Sequence, residues 1–379
     1  VEGRTSRAAR QLARRRLAAP LPPTEPYDTD HRAAPDVDRD VDRDVDPAEG
    51  ASAATLAFRF LEPSTILDAI DEAGFRTDGR VSAMASYENR VYDIGLEDGG
   101  SVVAKFYRPE RWSDEAILEE HDFCLDLVDA GLPIIAPLES DDGETLLTTG
   151  PYRFCLFERH GGRAPELDDP AQLKVVGRTA ARMHLIGAEV EFEHRPWIDA
   201  DRLGASAIEF LVDSSLVPDR VREAYEDTAW DLLDQVEARI EAAGDFAEFA
   251  IHGDLHPGNI LWGHEPVPHL LDFDDTATGP AIQDLWMFLS GDRDYAEARL
   301  GNVLDGYSEF RRFDITELEL IEPLRTLRLI NYAAWIAERW ADPAFKRAFP
   351  YFEGERYWDE HLQTLKEQRV ALDEPALRY

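Results

Sequence analysis

The chain reads as an α+β protein in two unequal parts, a small sheet-rich lobe followed by a larger helical one. Three observations carry that reading. At 379 residues with a 44% apolar fraction, the chain exceeds one average domain and can bury a sizeable core. Before residue 160 the apolar runs are short and separated by Asp-Gly-Gly and Gly-Pro turns, the signal of hairpins. After Gly161 and Gly162 the apolar residues recur at helical spacing instead. The expected divisions are an extension over 1–55, a first lobe over 56–158 and a helical lobe over 159–379.

Taken in order, the extension holds a basic arm with Arg7, Arg10, Arg14, Arg15 and Arg16, then Pro-rich and DVDRDVDRDVD stretches. With almost no aromatic residues it cannot bury enough apolar surface to offset its ordering entropy, so it is expected to be disordered. PSTILDAIDEAGF reads as a short amphipathic helix, with Pro63 near its start, Ser64 or Thr65 as its N-cap and Gly74 at its end. SYENRVYDIGLEDGGSVVAKFYRP is a hairpin around Asp98-Gly99-Gly100. SDEAILEEHDFCLDLVDAG, with cap, spacing and terminal glycine, is a helix from about 113 to 130. TLLTTGPYRFCLFER is a second hairpin. Helices are then expected in DPAQLKVVGRTAARMHLIG, VREAYEDTAWDLLDQVEARIEAA, PAIQDLWMFLSG, RLGNVLDGYSEF and ELELIEPLRTLRLINYAAWIAERW. Between the second and third lie two short apolar runs, AIHGDLHPGNILW and PHLLDFDD.

Composition narrows the function. Acidic residues outnumber basic ones 77 to 40, a net charge of −37, and only four of the basic residues are lysines. A carboxylate coat spread through nearly every expected helix, with arginine preferred to lysine, points to halophilic adaptation in a cytoplasm of high ionic strength. It disfavours nucleic acid as a partner. Cys124 and Cys155 sit in apolar surroundings without metal-type spacing, as reduced thiols do. No apolar run approaches the ~20 residues of a membrane span, and the N-terminus carries no apolar signal core, so neither membrane nor secretion is expected.

The chemistry concentrates in IHGDLHPGNILW. Asp254 and Asn259 stand five positions apart across a Pro-Gly turn, and Asp272 follows at the end of the next apolar run. Two carboxylates and an amide oxygen suit Mg²⁺, which takes one or two protein oxygens plus substrate phosphates; Asn259 and Asp272 would be its ligands. Asp254 is then available to accept a hydroxyl proton, the arrangement phosphoryl transfer needs. Lys105, a lysine kept where arginine is otherwise preferred, would meet nucleotide phosphates from the other lobe. Glu119 and Glu120 are both candidates to hold it.

In SYENRVY, VVAKFYRPERW, ILEEH, HGDLHPGNILW, DFDDTATGPAIQDLWMFLSGD and IEPLR…WADPAF, over about 60–375, the chain resembles the bacterial stress response kinase A family of serine/threonine protein kinases. The resemblance implies a bilobal protein-kinase-like fold of the aminoglycoside phosphotransferase kind. It implies Asp254 as catalytic base, Asn259 and Asp272 as magnesium ligands, Lys105 as the phosphate-contacting lysine and Glu120 as its partner. It also places Ser86 in the loop over the ATP phosphates, the backbone around Phe157 to Arg159 against adenine, and Asp284 as a brace of the catalytic loop. The implied acceptor is a Ser/Thr hydroxyl on protein, the chain itself included, and the implied protein is a cytoplasmic monomeric phosphoprotein. Departures matter: His252-Gly253-Asp254 lacks the arginine that reads an activation-loop phosphate, DFDD replaces Asp-Phe-Gly, and no long activation loop follows. The phosphate loop lacks its usual glycines, leaving Ser86, Glu88 and Asn89 to shape it.

Three other readings compete. A metal hydrolase would use His252, Asp254 and His256, but leaves Lys105 and Asp272 without a task. A small-molecule kinase acting on choline, homoserine or an aminoglycoside would share the mechanism; for choline, Trp197, Trp286, Tyr332 and Trp335 would form an aromatic cage. A catalytically silent nucleotide-binding scaffold would not need the complete Lys, Asp, Asn and Asp set.

Overall fold

The computed structural model describes residues 57–263 and 267–379. The extension expected to be disordered over 1–55 lies outside them.

The first lobe is one antiparallel sheet of five strands in the order β1-β2-β3-β5-β4: β1 (Thr77–Ala83), β2 (Arg90–Leu96), β3 (Ser101–Phe106), β4 (Leu147–Thr149) and β5 (Tyr152–Glu158). Both expected hairpins form, turning at Gly99 and Gly150, each at positive φ. Strand β1 gave no signal because TDGRVSA is a mostly exposed edge strand without an apolar run. Ile94, Ala104, Phe106, Phe154 and Leu156 meet the buried face of α1 (Pro63–Glu72), chiefly Ile66 and Ile70. Helix α1 starts at Pro63 after Glu62 with no side-chain cap, so Ser64 and Thr65 lie inside its first turn. Proline at the first helical position carries no N–H to satisfy and has its φ already set for the helix. Helix α2 (Asp114–Asp129) is capped as expected, the Ser113 hydroxyl accepting the Ala116 N–H at 3.2 Å.

Beyond Glu158 the chain is mainly helical: α3 (Pro170–Gly187), a π-helical turn (Asp201–Ala205), α4 (Ser206–Asp213), α5 (Asp219–Ala243), α6 (Arg293–Tyr307), α7 (Ile321–Glu338), α8 (Pro343–Ala348) and α9 (Glu355–Asp373). Two small two-stranded sheets sit among them. Strand β6 (Phe249–Ile251) pairs with β9 (Ala277–Gly279), and β7 (Ile260–Trp262) with β8 (Pro268–Leu270). PAIQDLWMFLSG is not a regular helix. It forms two 3₁₀ turns, Ala281–Asp284 and Trp286–Phe288, because its polar groups serve neighbouring backbone: Gln283 donates to the Gly253 carbonyl, and Glu317 accepts the Ile282 N–H.

One apolar cluster spans the seam, running from Phe123 and Leu127 on α2 through Phe273 and Leu255 to α3 and α6. It holds the sheet lobe against the helical lobe. Helices α3 and α6 cross at two reciprocal glycines: a Cβ on Gly177 would enter the Val303 carbonyl, and one on Gly306 the Lys174 carbonyl. Gly177→Ala and Gly306→Ala should each destabilise the fold by ~1–3 kcal/mol through overpacking, seen as a lower denaturation midpoint. Unchanged midpoints in both would show that the crossing does not depend on backbone proximity.

Candidate active site

The polar loop after β6 is built by burial and backbone bonding. Gly253 has φ +83°, and a Cβ there would run into the Asp275 carbonyl. This is why glycine stands where a protein kinase carries arginine: no side chain fits between the two strand ends. Asp284, with no exposed surface, accepts the N–H groups of His252 and Gly253 at 2.9 Å each, and meets His184 Nε2 at 3.0 Å. His252 is occupied on both ring nitrogens, Nε2 against the Leu271 carbonyl and Nδ1 accepting the Asp254 N–H. His256 Nδ1 caps the turn Pro257–Asn259 by accepting the Gly258 N–H at 2.8 Å, and its Nε2 lies 3.7 Å from Asp254 Oδ2. Burial pushes the His256 pKa down to about 3, so this ring is neutral. The two histidines therefore shape the loop, and among the described residues no group of three His, Cys, Asp or Glu side chains is placed to hold a metal, the arrangement a hydrolase would need.

The loop brings three of the expected residues together. Asn259 Nδ2 donates to the Asp254 carbonyl at 3.0 Å, which turns its amide oxygen away from that bond. Asp254 is buried, and burial drives its carboxyl up to about 6 even though Arg328 Nη1 lies 2.9 Å from Oδ1 and opposes the rise. Asp272 stands at φ +61°, a left-handed conformation rare outside glycine, and leaves its side chain 49% exposed at the cleft. From the sheet lobe, buried Lys105 reaches Asp272 at 3.3 Å, Glu120 at 3.4 Å and Asp274 at 2.8 Å. Burial alone would lower the lysine pKa, but Glu120 and Asp272 outweigh it and raise it. Burial likewise opposes ionisation of Asp272, and Lys105 reverses this and holds its pKa below the usual value.

The choice between the two glutamates is resolved by geometry. Glu120 faces Lys105, whereas Glu119 accepts the backbone N–H groups of Glu193, His194 and Arg195 at 2.7–3.1 Å. Ser86 donates to the Asn89 carbonyl at 3.1 Å, and Asn89 bridges from the Arg108 N–H to Asp274. Glu88 accepts from Trp335 at 2.7 Å and from Arg339 at 2.6 Å, and the cations Arg339, Arg111 and Arg108 hold its pKa down to about 2 against burial. The loop over the cleft is thus tied to the helical lobe. Phe157 pairs through its backbone with Val103, and Arg159 reaches back to Asp93 at 3.1 Å, at the start of the crossing between lobes. The four aromatic residues do not form one cage: Tyr332 stacks on Trp335, while Trp286 lies under Arg325 and Trp197 is exposed.

Several residues of the cleft escape sequence reasoning. Arg111 binds Asp274 through Nη1 and Asp275 through Nη2, the latter at 2.6 Å. Arg195, 1% exposed, donates to the carbonyls of Thr276 and Asp274 and stacks over Trp112. Arg328 comes from α7. The signal was faint: two further aspartates after Asp272, and arginines embedded in otherwise apolar contexts (PERW, RTLRLIN). A buried arginine in such a context implies a buried acid elsewhere, but nothing in the spacing says which.

Comparison with known proteins agrees with this layout. Residues 81–321 match the model of the phosphotransferase enzyme family. Stress response kinase A of Escherichia coli O157:H7 is 42% identical over 325 residues, covering 86% of this chain and 98% of that protein. The serine/threonine protein kinase RdoA of Salmonella typhimurium is 42% identical over 321 residues, covering 85% and 96%. Among solved structures, a microcompartment-associated aminopropanol kinase superposes with a TM-score of 0.64 at 18% identity, covering 84% of this chain and 99% of that one. An amicoumacin kinase in complex with AMP-PNP and Ca²⁺ superposes with a TM-score of 0.61 at 18% identity, covering 79% and 93%.

Replacing Arg111 by Met should cost about 3–5 kcal/mol of stability at pH 8, since Asp274 and Asp275 lose their buried counterion. Burial has already raised the Asp275 carboxyl to about 7, so below that value it is protonated and needs the cation less. Asp275's own contribution to stability is present at low pH and lost as pH rises through about 7, which makes the penalty of the variant smaller at pH 5 than at pH 8. Equal penalties in denaturation curves at the two pH values would contradict this pairing.

Proposed function

This chain belongs to the phosphotransferase enzyme family and is an ATP-dependent kinase of the stress response kinase A type, and we propose that it transfers the γ-phosphoryl group of ATP to a Ser/Thr hydroxyl on protein. The observation that supports the mechanism is the meeting of Lys105, Asp254, Asn259 and Asp272 at one cleft between the lobes. Asp254 is the base. It takes the proton of the acceptor hydroxyl as that oxygen bonds to the γ-phosphorus, and the bond from phosphorus to the β-phosphate oxygen breaks with its electrons leaving on ADP. Lys105, held by Glu120, neutralises phosphate charge from the sheet lobe. Ser86 lies in the loop covering the phosphates, and the backbone from Phe157 to Arg159 receives the adenine.

The Asn259 amide oxygen and the half-exposed Asp272 carboxylate are two hard donors, the kind of set magnesium completes with phosphate and water. Magnesium bound there would supply charge neutralisation on the phosphates. No helix among the described residues is long and apolar enough to cross a membrane. We place the kinase in the cytoplasm as a monomer, with the acidic coat as an adaptation to high salt; residues 56–158 form the nucleotide lobe and 159–379 the lobe that carries the acceptor site.

Asp254→Asn should reduce turnover by at least ~10³-fold while leaving nucleotide binding within about twofold; unchanged transfer would remove Asp254 from the mechanism. Asp272→Asn should weaken binding of Mg·ATP while leaving binding of metal-free nucleotide comparatively unaffected, readable by calorimetry with and without the metal. Because the base works ionised and burial lifts Asp254 to about 6, kcat/KM should fall as pH drops through that value. Labelled ATP offered with the enzyme alone, with a casein-like protein and with a panel of amines and alcohols tests the acceptor: label on protein supports the proposal, and label confined to small alcohols contradicts it.

A further inference from the structure

The cations of the cleft divide by the lobe they come from. Lys105 on β3 serves Glu120, Asp272 and Asp274, whereas Asp254 is met from α7 by Arg328, Nη1 to Oδ1 at 2.9 Å. The pair is unequal in exposure, with the Asp254 side chain 4% and the Arg328 side chain 21% accessible. The guanidinium is thus the more exposed of the two groups.

A second guanidinium comes from the π-helical turn, a distortion often found at functional sites. This turn lies against α7, where Gly204 abuts Leu327. Arg202 spends Nε and Nη2 on the Trp197 carbonyl, at 3.2 and 2.7 Å. Its Nη1 is buried and has no hydrogen-bond acceptor among the described residues. Burial draws the Arg202 pKa down to about 10, with Asp199 and Asp275 opposing the fall. A buried cationic donor without an acceptor is costly, and beside a ligand cleft it marks a place for an anion.

We propose that Arg328, with Arg202 of the turn packed against the same helix, selects the acceptor: a hydroxyl flanked by an anionic group, which on protein means a Ser or Thr next to Asp or Glu. The inference rests on the phosphotransfer reading of this site with Asp254 as base. A carboxylate beside the reacting hydroxyl takes up the Arg328 guanidinium, and the hydroxyl is delivered to Asp254. A cationic acceptor meets like charge at the same point. The aromatic residues that would cage an ammonium group are also engaged elsewhere, Trp335 with Glu88 and Tyr332, and Trp286 with Arg325. With a net charge of −37 the chain as a whole repels anions, so this preference is made by contacts within a few ångströms and persists as salt screens the long-range field.

Matched peptides carrying one Ser, flanked by Asp, Gln or Lys, test this with the full chain, alongside a panel of small hydroxy acids and amino alcohols. Wild type should favour Asp-flanked over Lys-flanked peptide by about tenfold or more in kcat/KM. Arg328→Gln should reduce that ratio to within about twofold through the KM for peptide, with the KM for ATP held, while Arg328→Lys keeps part of the preference and Arg202→Gln lowers it. A wild type that is indifferent to the flanks or prefers Lys overturns the inference. So does an Arg328→Gln variant whose kcat falls equally on all peptides, since Arg328 would then only orient Asp254. If small alcohols are labelled and no peptide is, the protein acceptor is wrong, and preference for hydroxy acids over amino alcohols then supports the role of Arg328 while the reverse refutes it.

Discussion

Arg111 is the residue on which the seam between the lobes depends. It leaves the sheet lobe just after β3, with its side chain almost wholly buried, and binds Asp274 and Asp275 of the helical lobe. Taking carboxylates out of water is unfavourable unless each finds a cation and further hydrogen bonds, and this cleft buries Glu88, Glu120, Asp254, Asp274 and Asp275 together. Lys105, Arg108, Arg195, Arg328 and Arg339 complete the set of counterions. The charges that do chemistry are therefore a minority embedded in charges that make the cleft possible.

The same bonding fixes the elements around the cleft. Helix α2 carries Glu120 to Lys105 and is anchored one residue earlier, where Glu119 holds the backbone of residues 193–195; Arg195 then ties that segment to Thr276 and Asp274. The loop over the cleft is shaped by Glu88 and Asn89 bonding across the seam. The high pKa of Asp254 follows from the same burial, which disfavours its charged form.

Much of the fold was legible because it depends on local patterning. The hairpins announced themselves through alternation and glycine turns, α2 through period and caps, and α3 and α5 through period. Strand β1 did not, since an exposed edge strand has no apolar period, and neither did α9, whose buried residues Trp358, Leu362, Leu365 and Leu372 are diluted by charge. PAIQDLWMFLSG has helical spacing but its carboxylate and amide are spent on the backbone of His252 and Gly253, a long-range demand that local spacing cannot express. The site divides the same way. Asp254, Asn259 and Asp272 sit in a recognisable stretch, and Lys105 is conspicuous by its rarity. Arg111, Arg195 and Arg328 are not, because their meaning comes from partners 74 to 164 residues away.

In the proposed mechanism, side chains distant in sequence converge on one metal-bridged triphosphate between the lobes. A crystal structure with a non-hydrolysable ATP analogue and Mn²⁺, read by anomalous scattering, tests this most directly. The metal signal should fall between the Asn259 amide oxygen and the Asp272 carboxylate, with Lys105 turned from Asp274 to the phosphates and Asp254 facing the γ-phosphorus. A nucleotide bound elsewhere, or a metal signal away from both Asn259 and Asp272, would contradict it.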